Sequence, residues 1–405
     1  MSHDDLEHAG FKDRTRVADA RARLLDAVTP HGRTERVSLE RADDRVLATA
    51  VTAPNPVPGY ERAAMDGYAV RAEDTFEASG RSPVVLDVRD EAGANAAVRV
   101  HTGSELPDGA DAVVMIEETE ALGDELEVFD AVAEGENVGP VGEDVGEGQH
   151  LYDPGHRLRP SDLGLLKSVG IDEVPVRERP SVAVLPTGEE LVQENPEPGE
   201  VIETNGLTVS RLVERWGGEA TYRDVVTDDE DALREAIERD LDHDVVVTTG
   251  GSSVGERDLT PQVVDELGEV LVHGVALKPG HPVALGRVEE TPVVMLPGYP
   301  VACIINAVQF LRPTLAALVG RDAADPPTVE ARLTRKISSE PGTRTFARVQ
   351  VDADDGGRVA TPTRASGSGI LSSVALADGW VVVPEGREGY AADEVVAVEN
   401  WEWSP

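Results

Sequence analysis

Between residues 179 and 325 the sequence alternates short strands with helices, which predicts an α/β fold built on a doubly wound parallel sheet within a multidomain chain. Two observations carry this. Short β-branched runs recur between stretches of helical spacing, as strands buried on both faces require. Each run also breaks into a loop of Gly, Pro and Thr, the place where such sheets hold ligands.

Taken in order, residues 11–50 carry helical spacing, with Val17, Ala20, Leu24, Leu25 and Val28 on one face and a stop at Thr29-Pro30-His31-Gly32. Pro54, Pro56, Pro58 and Gly59 open a small β-rich segment, 51–144, with strand-like runs at 83–88, 97–101, 112–116 and 126–129. Residues 145–178 return to turn-and-helix texture. In the α/β segment, 182–185, 221–226, 245–249 and 293–296 read as strands. Residues 204–216 read as a helix facing Leu207, Leu212, Val213 and Trp216 inward, and 229–241 as a capped helix. Helices are also expected at 259–267 and 301–319, the latter kinked at Pro313. Short strands resume over 326–405.

The chain has 405 residues, with 77 Asp plus Glu against 37 Lys plus Arg and a net charge of −40. The acids are dispersed, which describes a solvated surface rather than a disordered tail. At molar salt the Debye length is about 3 Å, so such self-repulsion is tolerable. The composition therefore predicts a high-salt, haloarchaeal setting, the plain alternative being an unusually acidic protein in dilute cytoplasm. Either way it argues against nucleic acid and anionic membranes as partners. No run of about 18 apolar residues is expected to span a bilayer. The polar, acidic N-terminus does not read as a secretion signal, and a cytoplasmic location is expected. The single cysteine, Cys303, reads as a packed core thiol.

Candidate chemistry sits on the strand-end loops. Val245–Thr249 leads into Gly250-Gly251-Ser252-Ser253-Val254-Gly255-Glu256-Arg257-Asp258, a small-residue loop opening toward a helix. Such loops let backbone N–H groups approach an anion. Pro186-Thr187-Gly188-Glu189-Glu190, Lys278-Pro279-Gly280-His281 and Pro297-Gly298-Tyr299-Pro300 are the others. Each alone is commonplace, and four in one segment is a stronger pattern. Asp228 and Asp258, at strand-to-helix loops, are candidate Mg²⁺ ligands, because Mg²⁺ takes carboxylates, phosphates and water. Asp228 and Asp229 are equally suited to cap the next helix. Lys278 is one of only four lysines, so a useful point charge is expected there, against a plain solvated turn.

The ordered set of motifs resembles the molybdenum insertase family (molybdopterin molybdenumtransferase and the gephyrin E-domain). It comprises Met65-Asp66-Gly67-Tyr68-Ala69, Thr102-Gly103, 107–114, Gly142-Glu143-Asp144, 186–191, 250–258, Lys278-Pro279-Gly280 and 296–300, and it spans essentially the whole chain. The resemblance implies a discontinuous mixed dimerisation domain (1–50 with 145–178), a small β domain (51–144), a molybdopterin-binding α/β domain (179–325) and a C-terminal β-barrel domain (326–405). It implies insertion of molybdate into adenylylated molybdopterin (molybdopterin-AMP), with Mg²⁺-dependent release of AMP; tungstate is a possible substitute. Asp66, Asp144, Asp258 and Lys278 are the implied catalytic residues, with Asp66 and Asp144 expected from the partner subunit of a homodimer. Substrate contacts are expected at Thr187, Gly188, Glu189, Gly250, Gly251, Ser252, Ser253, Gly255, His281, Pro297, Gly298 and Pro300. Arg344, Arg348 and Ser368 match the family's anion contacts. A molybdopterin adenylyltransferase is the implied upstream donor. Departures occur at Gly274 and His281, where many members have lysine, and at Tyr299, where Asn is common. The alternatives are an adenylyltransferase and a non-catalytic scaffold of the same fold.

Overall fold

Val, Thr and Leu fill the strands of the central sheet because both of its faces are covered. The computed structural model describes residues 14–250, 259–354, 356–363 and 368–403. In chain order the central strands are β1 (Ser181–Pro186), β2 (Glu219–Tyr222), β3 (Val245–Thr249), β4 (Glu269–His273), β5 (Ala284–Val288) and β6 (Thr291–Leu296). Across the sheet they lie β2-β1-β3-β6-β5-β4. β1 runs parallel to β2 and β3, and β3 parallel to β6. The other edge is antiparallel, β6 to β5 and β5 to β4, where a wholly parallel sheet was expected. The reason is local: only Glu289 and Glu290 separate β5 from β6, with Glu289 at φ 53, and a connection that short forces a hairpin. From β1 the chain moves outward to β2, whereas from β3 it extends the other way. The topological switch point therefore falls between β1 and β3.

The helices are α1 (Val17–Asp26), α2 (Asn205–Arg215), α3 (Glu230–Arg239), α4 (Leu259–Leu267), α5 (Pro300–Asn306) and α6 (Arg312–Leu318). Strand alternation divides the core. Val184, Val247 and Val294 pack with α1, α2, α5 and α6 on one face. Ala183, Val246 and Met295 pack with Leu233 and Ile237 of α3 and Val263 and Val264 of α4 on the other. Thus α1 seals the α/β domain, and residues 14–33 group with it rather than with 34–176. On α2, Val209, Leu212 and Val213 are buried, whereas Leu207, expected inward, is 51% exposed.

Between α5 and α6, Ala307–Leu311 forms a π-helical turn. Pro313 lacks an N–H, so the carbonyl four residues earlier, on Gln309, loses its helical donor. Arg21 of α1 replaces it, with Nε donating to Gln309 O at 3.0 Å and a second N–H to Gln309 Oε1 at 2.7 Å. Contrary to the expectation from sequence, 300–318 is long and apolar enough by composition to cross a bilayer. It is instead the domain's central packing helix, 89% buried in its most apolar window.

The terminal domain has β7 (Thr328–Leu333), β8 (Arg344–Asp354), β9 (Gly357–Pro362), β10 (Gly379–Val383) and β11 (Val395–Glu399). Pairings β8–β9, β9–β7, β7–β11, β11–β10 and β10–β8 close on themselves, giving a barrel. Phe346, Trp380 and Trp401 from this domain join the core on the α5 face of the central sheet. Trp380 stacks on Trp401 at 5.3 Å between ring centroids and donates from Nε1 to Glu399 at 2.8 Å. The two domains therefore share one apolar core.

The 34–176 unit is described by itself. A six-stranded sheet runs through Gly67–Val70, Val84–Val88, Ala96–Val100, Ala112–Met115, Thr119–Leu122 and Glu125–Val128. Its flanks pair early with late segments: Thr34–Ser38 with Glu173–Arg177, and Val51–Thr52 with His150–Tyr152.

Candidate functional site

Three strand tips meet at the switch point because glycine permits the approach. Gly250, just after β3, has φ +131, and a Cβ there would stand 2.1 Å from the Thr187 carbonyl oxygen. Gly188, after β1, has φ +147. Gly298, after β6, lies next to Gly250, and its carbonyl accepts from Asn205 Nδ2 of α2 at 2.7 Å. At Gly188 and Gly250, no residue with a Cβ readily holds these conformations.

The described main-chain amides here are already committed. Thr187 N–H donates to Thr249 O at 3.3 Å, Gly188 N–H to Val226 O at 3.2 Å and Gly250 N–H to Leu296 O at 3.0 Å. Gly251, Ser252, Ser253, Gly255 and Asp258 lie outside the described residues. The Thr187 and Thr249 hydroxyls, both buried, have no hydrogen-bond partner among the described residues.

A second wall comes from the Lys278 loop and the barrel. Leu277–Lys278 pairs in parallel with Arg344–Thr345 of β8. Gly280, at φ +115, sits against Asn306 of α5, whose Nδ2 donates to Gly280 O at 2.9 Å. Ser368 O accepts from Val301 N at 3.0 Å, tying the barrel to the start of α5. Together these walls enclose a cavity of about 1260 Å³, lined by Thr187, Gly188, Gly250, Pro297, Gly298 and Pro300 on one side and by Lys278, His281, Arg348 and Ser368 on the other.

Charge is segregated across it. The α/β wall presents Glu190, Glu203 and Asp228. Asp229, not Asp228, caps α3, accepting from Ala232 N at 3.0 Å, so Asp228 is left at the cavity. Partial burial and the charges of Glu190 and Glu189 hold the Asp228 carboxyl above its usual range. Glu203 accepts from Gly206 N at 2.6 Å and from the Tyr222 hydroxyl, and burial with that bond raises the phenol. Opposite stand Lys278, Lys336 and Arg348. Lys278 pairs with Glu340 at 2.8 Å, both exposed. Lys336 has no ion-pair partner among the described residues. Burial, followed by Arg14 and Lys278, lowers His281, favouring the neutral imidazole.

Asp228 and Glu190 both line the cavity, the Glu190 charge helps raise the Asp228 carboxyl, and neither is in a salt bridge among the described residues, so these oxygen donors fit a hard divalent ion such as Mg²⁺. In a different cluster, Asp240-Asp242-His243, the ligand atoms lie within 4.8 Å of one another, but Asp240 is consumed by Arg223 and Arg239 at the opposite end of β3.

Several expected residues fall elsewhere. Glu189 does not line the cavity; Glu190 does, its carboxylate folding back over Gly188. Arg344 turns away to Glu385 at 3.1 Å and is not a lining residue, whereas Arg348 is. In the 34–176 unit, Asp66 accepts from Thr102 N at 2.6 Å and Thr102 Oγ1 at 3.0 Å, which lowers its carboxyl. Asp144 is exposed there, its N–H held by Val57 O at 3.0 Å. Sequence reasoning missed Glu203, Asn205 and Lys336. The scarcity of lysine was the signal for Lys336.

The chain matches three family models: "MoeA N-terminal region (domain I and II)" over 15–170, "Probable molybdopterin binding domain" over 183–317 and "MoeA C-terminal region (domain IV)" over 330–401. A molybdopterin molybdenumtransferase of Bacillus subtilis is 34% identical, with 92% of this chain and 93% of that protein covered. One from Staphylococcus aureus is 31% identical, covering 89% and 90%. Among solved structures, a molybdopterin biosynthesis MoeA protein from Pyrococcus horikoshii superimposes with a TM-score of 0.83 at 35% identity, covering 96% of this chain and 99% of that one.

Proposed function

The chain belongs to the molybdopterin molybdenumtransferase family, and we propose that its cavity is where molybdate enters the dithiolene of adenylylated molybdopterin as AMP is released. The role is in molybdenum cofactor biosynthesis, as a transferase. One observation carries the assignment to this cavity: strand tips of the α/β domain and residues of the barrel line one cavity together, with Glu190, Glu203 and Asp228 among its acids and Lys278, Lys336 and Arg348 among its bases. A substrate with a pyrophosphate link needs both walls. The bases hold its anionic oxygens, and the acids hold the counter-cation.

Asp228 and Glu190 would hold Mg²⁺, with Asp258 as a further candidate. When bound, this ion would polarise the phosphoryl oxygens during hydrolysis. Lys278, Lys336 and Arg348 orient the oxyanions of substrate and molybdate, Arg348 from a largely buried position. Gly188, Gly250 and Gly298 let the ligand approach the strand tips closely. Neutral His281 offers a hydrogen bond rather than a charge. Within the same reading, the protein works as a homodimer in which the partner subunit supplies Asp66 and Asp144. It takes its substrate from a molybdopterin adenylyltransferase, and it works in a salt-rich, haloarchaeal cytoplasm that screens its −40 charge. Tungstate, alike in shape and charge, is a second metal substrate.

The test is product direction. Purified protein given adenylylated molybdopterin, Mg²⁺ and molybdate is expected to release AMP and form cofactor together. Consumption of ATP with release of pyrophosphate would instead identify an adenylyltransferase, and neither product would favour a scaffold.

A further inference from the structure

Tyr299 is the residue whose placement local stability does not explain. It occupies the N-cap of α5, where Ser, Thr, Asp or Asn would satisfy a helix N–H, and its side chain makes no cap bond. The residue is 64% exposed. The aromatic side chains that rank as exposed among the described residues are Tyr60, Phe76 and Tyr299, and of these only Tyr299 lines the cavity. Its backbone is held. The preceding carbonyl, on Gly298, is held by Asn205 at 2.7 Å, and the Tyr299 carbonyl accepts from Cys303 N at 2.9 Å. Behind it lies Gly369, where a Cβ would come 3.3 Å from Tyr299 Cδ1. A larger residue at 369 would push the ring out of place.

We propose that Tyr299 is a stacking platform for a planar heteroaromatic ring of the substrate, on a backbone fixed in advance. This rests on the functional reading above and adds a specificity-determining residue to it. A flat ring linked to a phosphate fits the cavity's two features together: an aromatic surface at the rim and cations within. Adenine and pterin share this chemistry. Stacking takes either ring's face and needs no particular hydrogen-bond pattern.

The experiment measures binding of AMP, 6-hydroxymethylpterin and inorganic pyrophosphate to the full chain by calorimetry in buffered KCl with Mg²⁺. It compares wild type, Tyr299→Ala and Tyr299→Phe. Tyr299→Ala is expected to weaken AMP or the pterin about tenfold or more, to leave pyrophosphate unchanged, and to be rescued by Tyr299→Phe. A loss confined to AMP assigns adenine, and one confined to the pterin assigns that ring. Unchanged pyrophosphate affinity also shows that the variant is folded. If Tyr299→Ala binds both ring ligands as wild type does, or weakens pyrophosphate equally, the stacking role is overturned while the cavity assignment stands. If wild type binds neither AMP nor pyrophosphate, the functional reading fails and the stacking role with it.

Discussion

Gly250→Ala is the sharpest perturbation of the switch point. The added methyl would sit 2.1 Å from the Thr187 carbonyl oxygen and 2.9 Å from its hydroxyl. Ordinary contact is near 3.5 Å, so the tips of β1 and β3 must part by about 1 Å. At φ +131 the alanine is also strained, by about 1–3 kcal/mol. At about 2–4 °C per kcal/mol for a domain of this size, Tm should fall by roughly 2–12 °C. A displacement of about 1 Å at a reacting centre costs on the order of 100-fold in rate. Gly357→Ala separates the two effects. Gly357, which opens β9 and does not line the cavity, has φ +122, and a methyl there meets nothing within 4 Å, so it carries the strain without the clash. Thermal unfolding and AMP-release kinetics of both variants are the assay. Comparable losses of Tm with a far larger loss of kcat/KM for Gly250→Ala are expected. Wild-type kcat/KM in Gly250→Ala would refute the claim that this close approach builds the site.

Arg21→Met should destabilise the chain by about 1–3 kcal/mol, because it orphans the buried Gln309 carbonyl opposite Pro313; a chemical-denaturation midpoint reads this directly. Asp228→Asn should raise Tm at neutral pH without Mg²⁺ and abolish the Mg²⁺-dependent rise in Tm. The sign follows from a folded-state pKa above the unfolded one: protonated Asp228 favours the fold below the unfolded value, and that contribution is lost as pH rises through the folded value. The gain from Asp228→Asn should therefore vanish near pH 4, as a Tm series across pH would show. Lys336→Ala should weaken pyrophosphate severalfold in a calorimetric titration, whereas Lys167→Ala, whose lysine pairs with Asp172 at 2.6 Å, should not. Dialysis into dilute buffer should reduce the circular dichroism signal, and an unchanged spectrum would count against salt adaptation.

How much was legible in sequence varied with the kind of signal. Val245–Thr249 reads correctly because a strand buried on both faces is a continuous apolar run, and all five residues are buried. Glu269–His273 was missed because its burial alternates weakly and its partner β5 is reached through an irregular loop rather than a hairpin. The inward placing of Leu207 failed because a helix that covers a sheet edge buries a narrow stripe. At the site, loop glycines were visible because positive φ demands them. Arg344 and Arg348 share a strand face, and only Arg348 lines the cavity because Glu385, a long-range neighbour no local pattern reveals, holds Arg344. Glu203 and Asn205 were hidden for the same reason, since their partners Tyr222 and Gly298 are remote in sequence.

The central claim is that the strand tips and the barrel wall bind one substrate together. A crystal structure of the protein with AMP and Mg²⁺ tests it most directly. The account predicts the phosphate beside Thr187, Gly250 and Gly298, with Asp228 on the metal and the barrel wall closing the cavity. AMP bound at another surface, with this cavity filled by ordered water alone, would contradict it.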